Sequence, residues 1–319
     1  MGLAANASQV PQQISEANQA LFRRAYSLVV GTQDISKLAI EFSVKKSLKP
    51  GTPNSCDLKV RNLSEDTRLY FGMLGPSIPV TLSAGYADPV GMSVLFQGTV
   101  RGSLPAVTEG PDIVSHLSSG DKAHALAQSR INTNFAAGTS PQQVIQSIAA
   151  AMGVGVGNIG HAVQVLGAKG VASMFSGAGI SGKASYWLNN LCKSSNLEWS
   201  VQNGALQFLE KNKPLNATAI ILSASTGLLG SPSVDNKGVV QCSALLIPGL
   251  TPGRLVSIQA KSLQGVFRIF ETEAEGQSYG DPWQMNLSLK KYSTTPTQSV
   301  QADAQDAEDA QDSDDDSGD

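Results

Sequence analysis

The chain has 319 residues, with 23 Lys and Arg against 26 Asp and Glu, 31 Gly, 15 Pro and 3 Cys, a length that suggests about two domains at roughly 150 residues each. Nine of the acids (Asp303, Asp306, Glu308, Asp309, Asp312, Asp314, Asp315, Asp316 and Asp319) lie in the last nineteen residues, which hold no base, so 17 acids face 23 bases in the rest. No apolar run reaches the length of a membrane-spanning helix, and Cys56, Cys192 and Cys242 are too scattered for a disulfide framework or a zinc site, as expected of a chain made in a reducing cytosol.

The opening MGLAANASQVPQQ is polar, with neither the basic start nor the apolar stretch of a secretory leader. A short helical pattern follows from Ser15 to about Tyr26. Residues 1–27 thus read equally as an arm that docks on a neighbour or as a frayed terminus. Residues 28–120 have period two: Leu38, Ile40, Phe42 and Val44 alternate with polar residues, as do Cys56, Leu58 and Val60, then Val80, Leu82, Ala84 and Tyr86. Half-buried strands separated by turn clusters predict a sandwich or barrel.

The period changes in residues 121–215. Ser140, Pro141 and Gln143 form a helix start with a capping box, and Val144, Ile145, Ile148, Ala149 and Met152 supply an apolar stripe that ends at Gly153. A second helix is expected over about Ala184 to Ser195, with Trp187, Leu188, Leu191 and Cys192 on one face. Two short strands flanking Asn203-Gly204 predict a tight hairpin. Alternation returns in residues 216–295, through Val256, Ile258 and Ala260, then Phe267 and Ile269, and last Trp283, Met285, Leu287 and Leu289. Residues 296–319 lack apolar side chains and are expected to be a disordered acidic tail, a solvated segment or a contact for a basic partner.

Several motifs invite a chemical role. GAGISGKA, from Gly177 to Ala184, is one residue short of a phosphate-binding loop, since Ala184 lacks the hydroxyl that would hold Mg²⁺. Gly155, Gly157 and Gly160 match a dinucleotide fingerprint, but a helix precedes them and no acid follows before Glu198 to bind a ribose. The Gly- and Ala-rich stretch from Ala149 to Gly182 is expected to be a flexible or closely packed connection. His116 and His124, near Asp112 and Asp121, lack a third metal ligand at a recognised spacing, and they and His161 read as surface or hydrogen-bonded histidines. Glu271, Glu273 and Glu275 alternate as on a solvated hairpin edge. No catalytic, cofactor-binding or metal-binding residue is therefore assigned.

Charged residues make up only 15% of the chain, against about 25% for a typical soluble one. That deficit predicts surface buried in an assembly, because interface cores are depleted in charge; a surface rich in Ser, Gly and Asn would read the same way.

Three blocks, taken in order, resemble the tail-hub or baseplate-hub proteins of tailed bacteriophages. The first is NSCDLKVRNLSEDTR, from Asn54 to Arg68, with VTLSAGYAD, LFQGTV and EGPDIV after it. SPQQVIQSIAAAMGV and SGKASYWLNNLCKSSNLEWSVQNGALQFL form the second, and the third runs from Thr226 to Gln259 and closes with GVFRIFETEAEGQSYGDPWQMNLSL. The sequence departs from the family at Glu273 to Gly280, where a His-Gly-Asp-like turn is expected. The resemblance implies a mainly β (α+β) fold of two β-barrel-like domains, residues 28–120 and 216–295, separated by a small helix-plus-hairpin module, residues 121–215, that SGKA opens. It also implies a homotrimer with pseudo-six-fold symmetry, a structural adaptor between the six-fold tail tube and a three-fold spike or tip.

The partners so implied are the chain itself, the tail tube protein, a spike or tail-tip protein and the tape-measure protein, with DNA only in transit through a channel and no stable membrane insertion. The location implied is the distal end of the virion tail, after assembly in the host cytoplasm. Two other readings are a hub-associated enzyme, either a peptidoglycan hydrolase or a phosphate-loop protein acting through Lys183, and a receptor-binding tip protein. The second would gather exposed aromatics, whereas Trp187, Trp199 and Trp283 fall in predicted core patterns.

Overall fold

Alternation of apolar and polar residues, which puts every second side chain on one face, is carried into long antiparallel strands. The computed structural model describes residues 13–14, 23–73, 78–87, 91–121, 128–168 and 178–292. Its first part contains β1 (Gln13–Ile14), β2 (Arg24–Val30), β3 (Gln33–Asp34), β4 (Ile40–Ser47), β5 (Ser55–Arg61), the helix α1 (Glu65–Met73), β6 (Pro79–Tyr86), β7 (Met92–Glu109) and β8 (Asp112–Gly120). Six of these strands pair in the order β4-β5-β8-β7-β6-β2. Ile40, Phe42 and Val44 face inward, as do Cys56, Leu58 and Val60 and, from β6, Val80, Leu82 and Ala84.

Two expectations fail in this part. Arg24 to Tyr26 continue a strand rather than a helix, because Arg24 pairs with Tyr86 and Tyr26 with Ala84 while the Tyr26 hydroxyl donates to the Leu38 carbonyl at 2.8 Å; sheet pairing overrides the local helical pattern. The earlier part of that pattern lies outside the described residues. Helix α1 was not foreseen, although Glu65 and Asp66 stand in its first turn and the Thr67 N–H donates to Ser64 Oγ at 3.2 Å, a start signal of the usual kind.

The middle of the chain builds β9 (Arg130–Phe135), α2 (Pro141–Ala151), β10 (Gly155–Val156), α3 (Ile159–Ala168), β11 (Ala178–Lys183), α4 (Ala184–Ser194), β12 (Leu197–Gln202) and β13 (Ala205–Glu210). The predicted capping box forms, with the Gln143 N–H donating to Ser140 Oγ at 3.3 Å and the Ser140 N–H to Gln143 Oε1 at 3.1 Å. Asn203 and Gly204, both at positive φ, make the predicted hairpin turn.

The Gly-rich stretch holds more structure than expected. α3 lies within it, and Gly157 sits where a Cβ would come 2.6 Å from the Leu206 carbonyl oxygen, so this glycine permits close approach to β13. Asn158 then bonds Phe208 twice, donating to its carbonyl at 2.6 Å and accepting from its N–H at 2.7 Å. This part has its own core, centred on Ile145, Ile148, Met152, Leu188, Trp199 and Phe208.

The last part comprises β14 (Ala219–Ser223), β15 (Leu228–Val234), β16 (Val240–Leu245), β17 (Leu255–Gln259), β18 (Gln264–Gln277) and β19 (Trp283–Lys291). A second set of six pairs in the order β14-β17-β18-β19-β16-β15, with β1 added to the outer edge of β14. Both sets bury their inward side chains in one continuous core, which reaches from Leu28 to Leu289.

Candidate functional site

Two places hold the parts of the chain together, and a third is a groove on the outward face of the sheet. The first is β18. One of its edges pairs with β19 along most of its length, while the other pairs with β17 from Gln264 to Arg268 and then with β4 from Glu271 to Gln277. The change of partner occurs between neighbouring residues. Ile269 donates its N–H to the Arg254 carbonyl and accepts from the Gly253 N–H, both at 2.9 Å, whereas the Phe270 carbonyl accepts from the Leu48 N–H at 3.0 Å. A register shift between Ile269 and Glu271 marks the place, as a bulge bends a strand and re-aims it. β18 is thus paired on both edges, interior to the second set and joined through β4 to the first, which corrects the expectation of a solvated hairpin edge at Glu271, Glu273 and Glu275. Glu271 accepts from the Ser47 hydroxyl at 3.1 Å, and Glu273 pairs with Lys45 at 2.9 Å.

Below the fork, Gly276 stands opposite Phe42 on β4 and Trp283 on β19. Those two rings meet edge to face, 5.5 Å between centroids, and a Cβ on Gly276 would fall 2.3 Å from Phe42 and 2.9 Å from Trp283. Only a residue without a side chain fits there.

The second place is a polar weld between the β12–β13 hairpin and the sheet. Lys46 is 6% exposed and Asp121 1%. Lys46 Nζ donates to Asn203 Oδ1 at 2.8 Å, and Asp121 Oδ1 accepts from the Gly204 N–H at 2.8 Å. Asn54 ties the two sides together, accepting from the Ser47 N–H at 3.1 Å and donating to the Val201 carbonyl at 2.8 Å and to Asp121 Oδ2 at 3.2 Å. Burial lowers the Lys46 ammonium to a pKa of about 8, with Asp121 opposing the shift. Burial also raises the Asp121 carboxyl, against its hydrogen bonds from Gly204 and Asn54 and the charge of Lys46. On the other side of the hairpin, Arg268, 5% exposed, donates to Glu198 Oε2 at 3.1 Å and to the Lys213 carbonyl at 3.0 Å.

The sequence marked Asn203-Gly204 only as a turn and Asp121 only as a neighbour of the histidines, and none of these residues in the role of a weld. A signal existed for Lys46, which falls on the buried parity of β4 after Ile40, Phe42 and Val44. Asp121 and Asn54 gave none, since each acts on a hairpin more than seventy residues away in the chain.

The third place is a groove of about 600 Å³ across the outward face of β18, β4, β5 and β8, lined by Glu41, Ser43, Asp57, Lys59, His116 and Glu275 among others. At its side Arg61 gathers Glu41 at 2.5 Å, Asp112 at 3.4 Å and Glu109 at 3.9 Å.

The candidate motifs do not converge. Residues 178–183 of GAGISGKA form β11, which pairs along its whole length with β9, so the backbone N–H groups a phosphate would need are not presented by an open loop; Gly177 lies outside the described residues. Gly155 and Gly157 lie against β13, whereas Gly160 is in α3 with open space where a Cβ would stand. His116 lines the groove, His161 Nε2 stands 4.0 Å from Glu210, and His124 lies outside the described residues. Asp112 and Asp121 are held by Arg61 and by the weld. Cys56, Cys192 and Cys242 are free and buried, with burial raising every thiol and placing Cys192 and Cys242 at about 12. Trp199 and Trp283 are buried, and Trp187 is half-buried with its Nε1 donating to the Ser181 carbonyl at 3.1 Å. Among the described residues no helix is long and apolar enough to cross a membrane.

A sequence profile of the family described as Baseplate hub gp41 matches residues 27–263, which take in the first strand set, the module and β14 to β17. The chain belongs to this family. Among curated proteins, no sequence matches significantly. Solved structures share the fold. The 43 kDa tail protein of prophage MuSo2 from Shewanella oneidensis aligns with a TM-score of 0.56 at 13% identity, covering 84% of this chain and 98% of its own. A tail protein from Neisseria meningitidis MC58 gives 0.56 at 13%, covering 86% and 98%. The Escherichia coli c3393 protein, described as a component of the type VI secretion system with structural similarity to the T4 bacteriophage tail proteins gp27 and gp5, gives 0.52 at 9%, covering 83% and 77%. This baseplate-hub chain is therefore a structural tail protein of mostly β fold that assembles with other tail components, and the virion tail is its place. In this chain the fork joins the two strand sets and the weld fixes the hairpin to the sheet.

Proposed function

We propose that three copies of this hub chain close into a ring of six similar strand-built units, two from each copy, which adapts a six-fold tail tube to a three-fold spike or tip and leaves a channel for DNA. The observation that carries this reading is the fork in β18, which makes two six-stranded sets from one polypeptide. A ring needs interfaces that repeat, and two strand sets per chain supply six from three copies. In this reading residues 28–120 and 216–295 are the two barrel domains, 121–215 the inserted module, 1–27 an arm and 296–319 a tail; the arm, apart from β1 and the start of β2, and the tail lie outside the described residues. The partners are the tail tube protein, a spike or tip protein and the tape-measure protein, with DNA only passing through. The hub sits at the distal end of the tail, is assembled in the host cytoplasm and works by geometry rather than catalysis.

Native mass spectrometry of the purified chain, 33.3 kDa as a monomer, is expected to give a trimer of about 100 kDa that binds the tail tube protein. A monomer without affinity for tube or spike at micromolar concentration would contradict the reading. So would two strand sets that cannot be superposed in the assembled tail tip. Clearing of peptidoglycan by the pure chain would contradict its non-enzymatic part.

A further inference from the structure

Charge is distributed unevenly along the chain. From Lys122 to Leu215 there are seven bases and two acids, an excess of five positive charges. Both acids are already engaged, Glu198 by Arg268 at 3.1 Å and Glu210 by Lys213 at 2.7 Å. Arg130, Lys183, Lys193 and Lys211 are exposed and make no ion pair among the described residues.

These cations are grouped by the fold. Lys183 stands directly before α4 and pairs across the ribbon with Arg130. Lys183, Tyr186, Asn190 and Lys193 follow at intervals that place them on one face of the helix, all are exposed, and Tyr186 is 59% exposed. Lys211 joins the far end, its N–H donating to the carbonyl of Asn196 in the turn after Lys193. Ten residues of helix separate the two lysines by about 15 Å.

We propose that this face of α4 receives the acidic C-terminal segment, residues 303–319, of a second copy of the chain. The argument is charge complementarity: that segment holds nine acids and no base, while the part of the chain before it, outside residues 122–215, is nearly balanced, with 16 bases against 15 acids. Lysine ammonium groups and the Tyr186 hydroxyl donate hydrogen bonds, and carboxylates accept them. A single exposed pair adds little; several cations on one helix face meeting a dense run of carboxylates act together within a screening length of about 8 Å at physiological salt. The inference rests on copies of the chain meeting, as the trimer proposed above requires.

Zero-length carbodiimide crosslinking of a mixture of unlabelled and ¹⁵N-labelled full-length chains, read by mass spectrometry, tests it. Mixed-label links are expected between Lys183, Lys193 or Lys211 and the Asp or Glu residues of the segment. Their yield should fall about tenfold or more in 1 M salt, where the screening length is about 3 Å, and as much in Lys183→Glu/Lys193→Glu and in Asp314→Asn/Asp315→Asn/Asp316→Asn, the last of which alters none of the described elements. Links confined to one label would overturn docking between copies. A trimeric mass without such links overturns the docking alone, whereas a monomeric mass overturns the trimer as well. Absence of links combined with binding of a 20-base-pair DNA duplex that Lys183→Glu/Lys193→Glu abolishes would reassign the face to nucleic acid.

Discussion

Lys46 and Asp121 show what a buried charge demands of its neighbours. Each is removed from water, and each is held by hydrogen bonds from or to the hairpin turn at Asn203-Gly204. The two are not in ion-pair contact, but the charge of Asp121 opposes the cost of burying Lys46, and a buried group that loses its compensation costs about 1–3 kcal/mol. Asp121→Asn is therefore expected to destabilise the protein by about that amount in urea unfolding at pH 7, and Lys46→Met/Asp121→Asn to recover most of it. Equal losses in the single and double variants would show that the two residues do not act as a pair. The pH dependence has a definite sign. The folded-state pKa of Lys46 lies below its ordinary value of 10.5, at about 8, so the unfolded chain binds the extra proton between those limits and stability rises with pH there. The penalty for burying the charge is thus fully present below about pH 8 and relieved toward pH 10.5. The wild type should gain stability relative to Lys46→Met across that window, by as much as about 3 kcal/mol; parallel curves would contradict it. The sequence offered half of this site. A lysine on the inward parity of a strand is legible, but its partner is set by tertiary docking alone.

At the level of elements, the local signals were read correctly where the physics is local. The capping box at Ser140, the Asn203-Gly204 turn and the alternation through Trp283, Met285 and Leu287 each depend on residues within a few positions of one another. The fork was not legible, because β18 alternates in the same way whichever strand it meets. Nor was α3, whose glycines disguise a helix that packs on β13. The fork does leave one testable mark, at Gly276. Gly276→Val would force a branched side chain between Phe42 and Trp283, and overpacking of this kind costs about 1–3 kcal/mol. Thermal unfolding of Gly276→Val should show that loss, while Gly102→Val, in β7 where nothing lies within 4 Å and the backbone is extended, should not and serves as the control. Unchanged stability in Gly276→Val would mean that the rings yield easily and that the junction is not tightly packed.

The molecule as a whole carries two cores, one running through both strand sets and one confined to the module. Between them lie the polar contacts of Lys46, Asp121, Asn54 and Arg268, an interface more like that between loosely coupled domains than like a core. Native-state hydrogen exchange is expected to resolve two opening units, one containing Ile148, Leu188 and Trp199 and the other Leu58, Leu82 and Ile269. A single common opening energy for both would show that the weld couples them fully. Sharing β18 has a further consequence, for synthesis. Ser47 of β4 bonds Glu271 of β18, 224 residues later in the chain. At roughly 5–20 residues per second, a ribosome that has finished β4 needs about 10–45 seconds more to deliver the strand that covers it. Through that interval the nascent chain presents a bare edge able to capture another strand. The lysines at 45 and 46, one pointing to either side of that edge, are charges of the kind that discourage such capture.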